Sequence, residues 1–277
     1  NNTFLYQSHN PMHLQLDTII RFGTPIPQHF HQLLPMSEPL SDLAFIFFRT
    51  LYEACHGHCV IAGSAALAYY LLPQVLFENN DIDIFVLALL QTIDVYTKTG
   101  VRLHPKTLGK GRLVENIIVN AVKHIKENNF ISTEWIRGKQ FRQVPYFLNA
   151  IINIQSIATL RLKRGPDISK TIQIIVLHGY PSMNRPTFST NVLGEYVIST
   201  FDLDIVQVFL TPTVYATQFR PLHVYLTNQS AGSIHRKSAN MTILPCQHHS
   251  QVIKRLDKYM NRNFNIRSIK FHQDTPD

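Results

Sequence analysis

In "NNDIDIFV", residues 79–86, Asp81 and Asp83 alternate with Ile82 and Ile84. Side chains two apart on a strand point the same way, so both carboxylates face one side and the isoleucines the other. Two carboxylates a few ångströms apart repel, and their pKa values separate unless a cation lies between them. A divalent ion relieves that conflict. Mg²⁺ (or Mn²⁺) takes a few carboxylates together with water and substrate phosphates. Two such ions clamp the attacking and leaving oxygens of a phosphoryl displacement. Upstream, Gly63 and Ser64 follow the apolar run "HCVIA". A glycine there admits a phosphate close to the backbone, and a following helix offers its first N–H groups to the anion. Ser64 adds a hydroxyl donor. Downstream, "STFDLDIVQV" supplies Asp202 and Asp204, read as sharing one strand face, and either could complete a three-carboxylate metal site.

These residues need elements to hold them. "LAFIFFRTLYEACHG" reads as a helix capped by Ser41 or Asp42 and ended by Gly57. "HCVIAG" reads as a buried strand, "SAALAYYLL" as a helix stopped by Pro73, and "DIDIFVLAL" as a strand. Further on, "KTIQIIVLHGY" and "STFDLDIVQVFL" have strong strand character, with a short helix near "NVLGEYVIS" between them. "QHHSQVIKRLDKYMNRNFNI" has helical spacing of Val252, Leu256 and Tyr259. Residues 1–37, rich in Pro, His and Gln, read as an extended N-terminal arm, and 38–277 as one domain. Within it, residues 104–160 are expected to form a basic, helical sub-region.

The order is an apolar strand ending in Gly-Ser, a helix, a D-h-D strand and, much later, an acid-bearing strand. That order resembles the nucleotidyltransferase superfamily (DNA polymerase beta-like fold). Its pattern is an h-G-[GS] turn, a [DE]-h-[DE] strand and a third acid, matched here by Gly63, Ser64, Asp81, Asp83 and Asp202 or Asp204. "NDIDIFV", "TIQIIVLHGY", "STFDLDIVQV" and "VIKRLDKYMNRNF" are similar to segments of a divergent branch with viral and poorly characterised members, in which the acid directly after Phe, here Asp202, matches. The resemblance spans roughly residues 40–265 and rests on these short motifs. The gap from Gly-Ser to Asp81 is longer than the family's usual spacing. The resemblance implies an α/β (α+β) fold with a small mixed sheet flanked by helices. It also implies Mg²⁺-dependent transfer of a nucleoside monophosphate from an NTP to a hydroxyl acceptor. Asp81 and Asp83 would hold the metals and Asp202 would help activate the acceptor.

Bulk properties frame these expectations. The 277 residues are 45% hydrophobic, enough for a substantial core, and carry a formal net charge of +8, which favours a polyanionic partner such as RNA. Lys110 and Arg112 in "TLGKGR" suit a loop gripping triphosphate or RNA backbone, or a solvated loop. "EWIRGKQFRQ" interleaves bases with aromatics, "LRLKRG" clusters three bases, and Lys254, Lys258 and Arg262 fall four apart on one helical face. "CHGHC" at 55–59 has zinc-ligand residue types but not knuckle spacing, and small buried cysteines fit it better. Three cysteines in all point away from a disulfide framework and toward a reducing, intracellular setting. No apolar run is long enough to span a membrane. The start, "NNTFLYQSHN", has no initiator methionine and no signal layout, and reads as the edge of a trimmed chain. No G-x-S-x-G, Walker-type or G-x-G-x-x-G motif occurs. Two functions follow: nucleotidyl transfer from an NTP, with RNA the expected acceptor, or a catalytically degenerate relative that serves as an RNA-binding or structural subunit, with protein partners in a larger assembly.

Overall fold

The computed structural model describes residues 19–22, 42–55, 57–71, 81–88, 110–128, 131–136, 141–143, 154–165, 168–178, 190–212, 222–243 and 249–271. Its architecture is mixed α/β. In chain order the strands are β1 (Ile19–Phe22), β2 (Cys59–Ala62), β3 (Asp81–Ala88), β4 (Ser132–Trp135), β5 (Arg142–Gln143), β6 (Ile154–Arg164), β7 (Ile168–His178), β8 (Val208–Thr211), β9 (His223–Thr227), β10 (Ser238–Ile243) and β11 (Asn265–Phe271). The helices are α1 (Asp42–Ala54), α2 (Ser64–Leu71), α3 (Lys110–Asn128), α4 (Thr190–Ser199), α5 (Asn228–His235) and α6 (His249–Met260), with a 3₁₀ turn at Asp204–Val206. Nine strands form one mixed sheet in the order β1-β9-β8-β2-β3-β7-β6-β4, with β5 also paired to β6. Within it β3 and β7 run parallel, whereas β2–β3, β2–β8 and β6–β7 are antiparallel. β10 and β11 form a separate parallel ribbon.

The central strands read as almost unbroken apolar runs because both faces of the sheet are covered. On one face Ile82, Ile84 and Val86 of β3 join Ile172, Ile174 and Val176 of β7 beneath Leu43, Phe47 and Leu51 of α1 and Ile118 and Ile125 of α3. Leu43, Phe47 and Leu51 recur every four residues, the stripe that drives α1 onto the sheet. On the other face Phe85 and Leu87 of β3 and Ile175 and Leu177 of β7 pack under Leu193, Tyr196 and Val197 of α4.

That second apolar cover stops partway along β3. Moving toward the strand's start, the register places Asp83 beside Gln173 and Thr159, then Asp81 beside Thr171 and Arg161. Register partners share a face, so this end of the sheet is a polar floor, and the two acids form its margin.

Helices and strands lie where expected for "LAFIFFRTLYEA", "CVIA", "SAALAYYL", "DIDIFVLA", "NVLGEYVIS" and "SQVIKRLDKYM". Gly57 closes the first of these with φ of +81°, a conformation that favours glycine. Three expectations change. Residues 104–160 are not helical throughout, because α3 gives way to β4, β5 and the start of β6. The sheet, at nine strands, is not small. "STFDLDIVQV" is not one strand: α4 ends at Ser199, the chain passes through a turn at Thr200 and a bend at Asp202, and Asp204 opens the 3₁₀ turn. Of the N-terminal arm, β1 is described, pairing with β9, and the remainder of 1–37 lies outside the described residues. Among the described residues no helix is long and apolar enough to cross a membrane.

Gly194 tests how closely α4 is seated. A Cβ there would lie 2.3 Å from the ring of Phe209, which is stacked on Tyr225 at 4.7 Å. Gly→Ala inside an exposed helix ordinarily stabilises by about 1 kcal/mol. Here overpacking reverses the sign, and Gly194→Ala is expected to cost about 1–3 kcal/mol in urea unfolding. A neutral or stabilising result would contradict the tight seating of α4 on β8.

Candidate functional site

Three parts of the chain meet at the end of β3. β2 turns into α2 at Gly63, whose φ of +82° again favours glycine and whose N–H donates to the Val208 carbonyl at 3.1 Å. A Cβ on Gly63 would touch the Phe201 ring at 3.5 Å. Phe201 also packs on Phe85, with ring centroids 6.0 Å apart. The Gly63-Ser64 turn is thereby tied to the residue preceding Asp202 and to the strand that carries Asp81 and Asp83. Ser64 is the first residue of α2 and is half-buried.

The four acids have different fates. Asp81 is exposed and Asp83 half-buried. Asp202 is buried and accepts a 2.5 Å charge-assisted hydrogen bond from Nη1 of Arg255 on α6. The Asp202 side chain is 1% exposed and that of Arg255 49%, so the acid is the partner that burial compels to pair. The backbone carbonyl of Asp202 accepts from Thr242 N–H at 2.7 Å, which anchors the segment to β10. Asp204, two residues on at the start of the 3₁₀ turn, is also buried but needs no cation. It accepts from Ser233 Oγ (2.6 Å), Asn240 N (2.9 Å) and Asn240 Nδ2 (2.7 Å), and Ser268 Oγ in turn donates to Asn240 Oδ1 (2.8 Å). The turn therefore directs the two carboxylates to different partners, where a strand would have put them side by side. Lys110 and Arg112 belong to the first turn of α3 rather than to a loop, and residues 107–109 lie outside the described residues.

The electrostatics join α6 to the acid pair. Burial, and then the charge of Asp81, push the Asp83 carboxyl up to about 6, while Lys258 and Arg255 pull it the other way. Burial lowers the Arg255 pKa, but Asp202 and Asp83 more than offset this and the net direction is upward. Burial of Tyr259 pushes its phenol up to about 12. Asp81, Asp83 and Asp202 thus share one electrostatic neighbourhood with Arg255 and Lys258.

Arg255 is the residue that the motif pattern did not single out. The signal lay in helical spacing. Val252 and Tyr259 are buried on the inner face of α6, and Arg255 lies three residues after the first and four before the second. A base at that position can reach inward to pair with a buried acid.

A divalent metal at Asp202 would have to compete with Arg255. Mg²⁺ needs free carboxylate oxygens, and Asp202 is committed to a guanidinium. Among the described residues, no group of three His, Cys, Asp or Glu side chains could hold a metal ion. Cys55 and Cys59 are buried small residues whose thiol pKa values burial drives up, which suits packing rather than ligation. Arg161 and Lys163 on β6 both approach Glu134, at 3.6 and 3.3 Å. Trp135 and Phe141 pack against the core 6.0 Å apart, and Arg137 and Lys139 lie outside the described residues.

Asp202 and Asp204 also border a polar cleft of about 330 Å³, walled by Gln207, Gln229, Asn240, Thr242, Ser268 and Lys270. No protein-family model matches the chain, and no curated protein matches it.

A carboxyl raised from its ordinary range to about 6 binds more protons in the folded than in the unfolded state between those values. Its contribution to stability is therefore full below pH 4 and lost as pH rises through 6. Asp83→Asn is expected to be nearly neutral at pH 4 and to stabilise by roughly 1–3 kcal/mol above pH 7, read as a widening Tm gap over the parent. A gap that does not change with pH would contradict this electrostatic picture.

Proposed function

We propose that the chain is a nucleotidyltransferase-like scaffold whose acid site is neutralised from within, and that it works by binding RNA as a subunit of a larger assembly. The carrying observation is the Asp202–Arg255 pair. A third acid helps an acceptor hydroxyl only if its oxygens are free to take a proton or a metal. Here a guanidinium already pairs with Asp202, and Lys258 adds a second positive charge toward Asp81 and Asp83. The net charge of +8 supports RNA as the partner.

A second reading, metal-dependent nucleotidyl transfer from an NTP to RNA, is favoured by one specific observation. Asp81 and Asp83 remain only partly relieved by Lys258 and Arg255, open to solvent at Asp81 and raised in pKa at Asp83, which is what a divalent ion would stabilise.

Titration calorimetry with Mg²⁺ and NTPs, run beside a turnover assay with labelled NTP and RNA, separates the two. The parent is expected to show neither metal-dependent heat nor nucleotide incorporation, whereas Arg255→Gln, which uncovers Asp202, gains Mg²⁺ binding. Incorporation by the parent that disappears in Asp81→Ala/Asp83→Ala would overturn the binding-scaffold reading in favour of the enzyme.

A further inference from the structure

The positive charge of this chain is strongly segregated. Between Arg236 and Lys270 the sequence holds eight Lys and Arg residues and one acid, Asp257, a net of +7 against +8 for the whole chain. These residues belong to one structural module. β10 pairs with β11, Asn265 N–H donates to the Lys237 carbonyl at 2.9 Å, and α6 packs on β11. Arg236, Lys237, Lys254, Lys258, Arg267 and Lys270 are all exposed on it. Lys254 and Lys258 lie one turn apart, and Arg262, partly buried, follows at the same spacing just past the end of α6.

The polar cleft opens on this module. Asn240, Met241 and Thr242 of β10 and Ser268 and Lys270 of β11 line it, Lys270 contributing a cation. Its volume, about 330 Å³, is at the small end of ligand sites. Amides and hydroxyls line it beside Met241, Lys270 and the two carboxylates, and several of these groups are fixed in place. Asn240 is held by Asp204 and by Ser268, and Gln207 by Thr227 Oγ1 at 3.4 Å and the Phe201 carbonyl at 3.3 Å. Groups already oriented this way bind a ligand with little ordering cost. The carboxylates that border the cleft are already satisfied, Asp202 by Arg255 and Asp204 by three donors. The cleft therefore suits a flat, neutral group rich in donors and acceptors better than a free phosphate.

We propose that this module is a binding face for single-stranded RNA, with phosphates along its exposed bases and one unpaired base entering the polar cleft. The inference rests on the RNA partner proposed above and assigns it a place. Tyr259 and Phe264, the aromatic residues of α6 and the turn after it, are buried, so affinity comes from phosphate contacts and from the cleft rather than from stacking. A base must be unpaired to enter such a cleft, so duplex is the weaker ligand.

The test is fluorescence anisotropy on the full chain, using labelled homopolymeric RNA 12-mers and a duplex of the same length across a salt series. The parent is expected to bind single strands in a steeply salt-dependent way and to rank the four homopolymers. Lys254→Glu/Arg267→Glu is expected to weaken binding at least roughly tenfold, and to reduce the slope of log K against log salt by about 0.7 for each phosphate left without its cation. Gln229→Ala is expected to flatten the ranking of the homopolymers and leave the slope unchanged. Lys123→Glu, on α3, is expected to bind like the parent. Should the double variant fail to fold, Lys254→Gln/Arg267→Gln carries the same expectation in weaker form. Equal binding of duplex and single strand, no ranking of homopolymers, unchanged affinity in the charge variants, or equal competition by polyglutamate would each overturn the proposal. The last outcome would point to an acidic protein instead. These readings do not depend on turnover: nucleotide incorporation would remove the scaffold reading and leave this face standing, whereas loss of RNA binding without incorporation would isolate a failure here.

Discussion

A buried carboxylate must be neutralised or hydrogen-bonded, and the acid-bearing end of this sheet is organised by that requirement. Asp202 and Asp204 are two residues apart and both buried, yet they meet the requirement in different ways. Asp202 takes a guanidinium from α6, while Asp204 takes three hydrogen bonds from α5 and β10. The 3₁₀ turn that begins at Asp204 sends the two side chains to different partners. Asp83 has neither solution in full, so burial and the charge of Asp81 leave its carboxyl raised, with Arg255 and Lys258 compensating only in part.

The helix that neutralises the acid site is also part of the most basic portion of the molecule. The inner face of α6 brings Val252, Arg255 and Tyr259 toward the core and the acids, and its outer face carries exposed Lys254 and Lys258. One amphipathic helix thus links an internally compensated acid cluster to a surface suited to polyanions. On the scaffold reading proposed above, Arg255 would take, at Asp202, the place that a metal would otherwise need. The tight turn at Gly63 keeps a structural purpose either way, since it holds α2, Phe201 and Phe85 in register with the acids.

Much of this arrangement was legible in the residues themselves. The alternation in "DIDIFVLA", the apolar run "CVIA" and the stripe in "QVIKRLDKYM" each carry one period strongly enough to name their element. β6 was obscured because Arg161, Lys163 and Arg164 read as a basic cluster, although Leu160 and Leu162 alternate with Arg161 and Lys163 and lie in the core. Lys110 and Arg112 flank a glycine that suggests a loop, but the apolar spacing of Val114, Ile118, Ala121, Val122 and Ile125 extends the helix back over them. In "STFDLDIV" period two is present, but the hydrogen-bond demands of Asp204 favour a turn, which local propensity does not reveal. β10 and β11 pair in parallel across a helix, a non-local pairing that no short window contains. Arg255 was visible only as an anomaly, a base on an inward stripe, and its meaning depends on an acid 53 residues away.

Internal neutralisation of the site requires that Arg255 and Asp202 be energetically coupled. A double-mutant cycle of Asp202→Asn, Arg255→Gln and the combined variant, read by urea unfolding at pH 7 and at low and high salt, measures that coupling directly. A coupling of about 2 kcal/mol or more, largely retained at high salt because Asp202 is buried, is the predicted result. Additive single variants, with a coupling near zero, would show that Arg255 does not neutralise the site and would contradict the account.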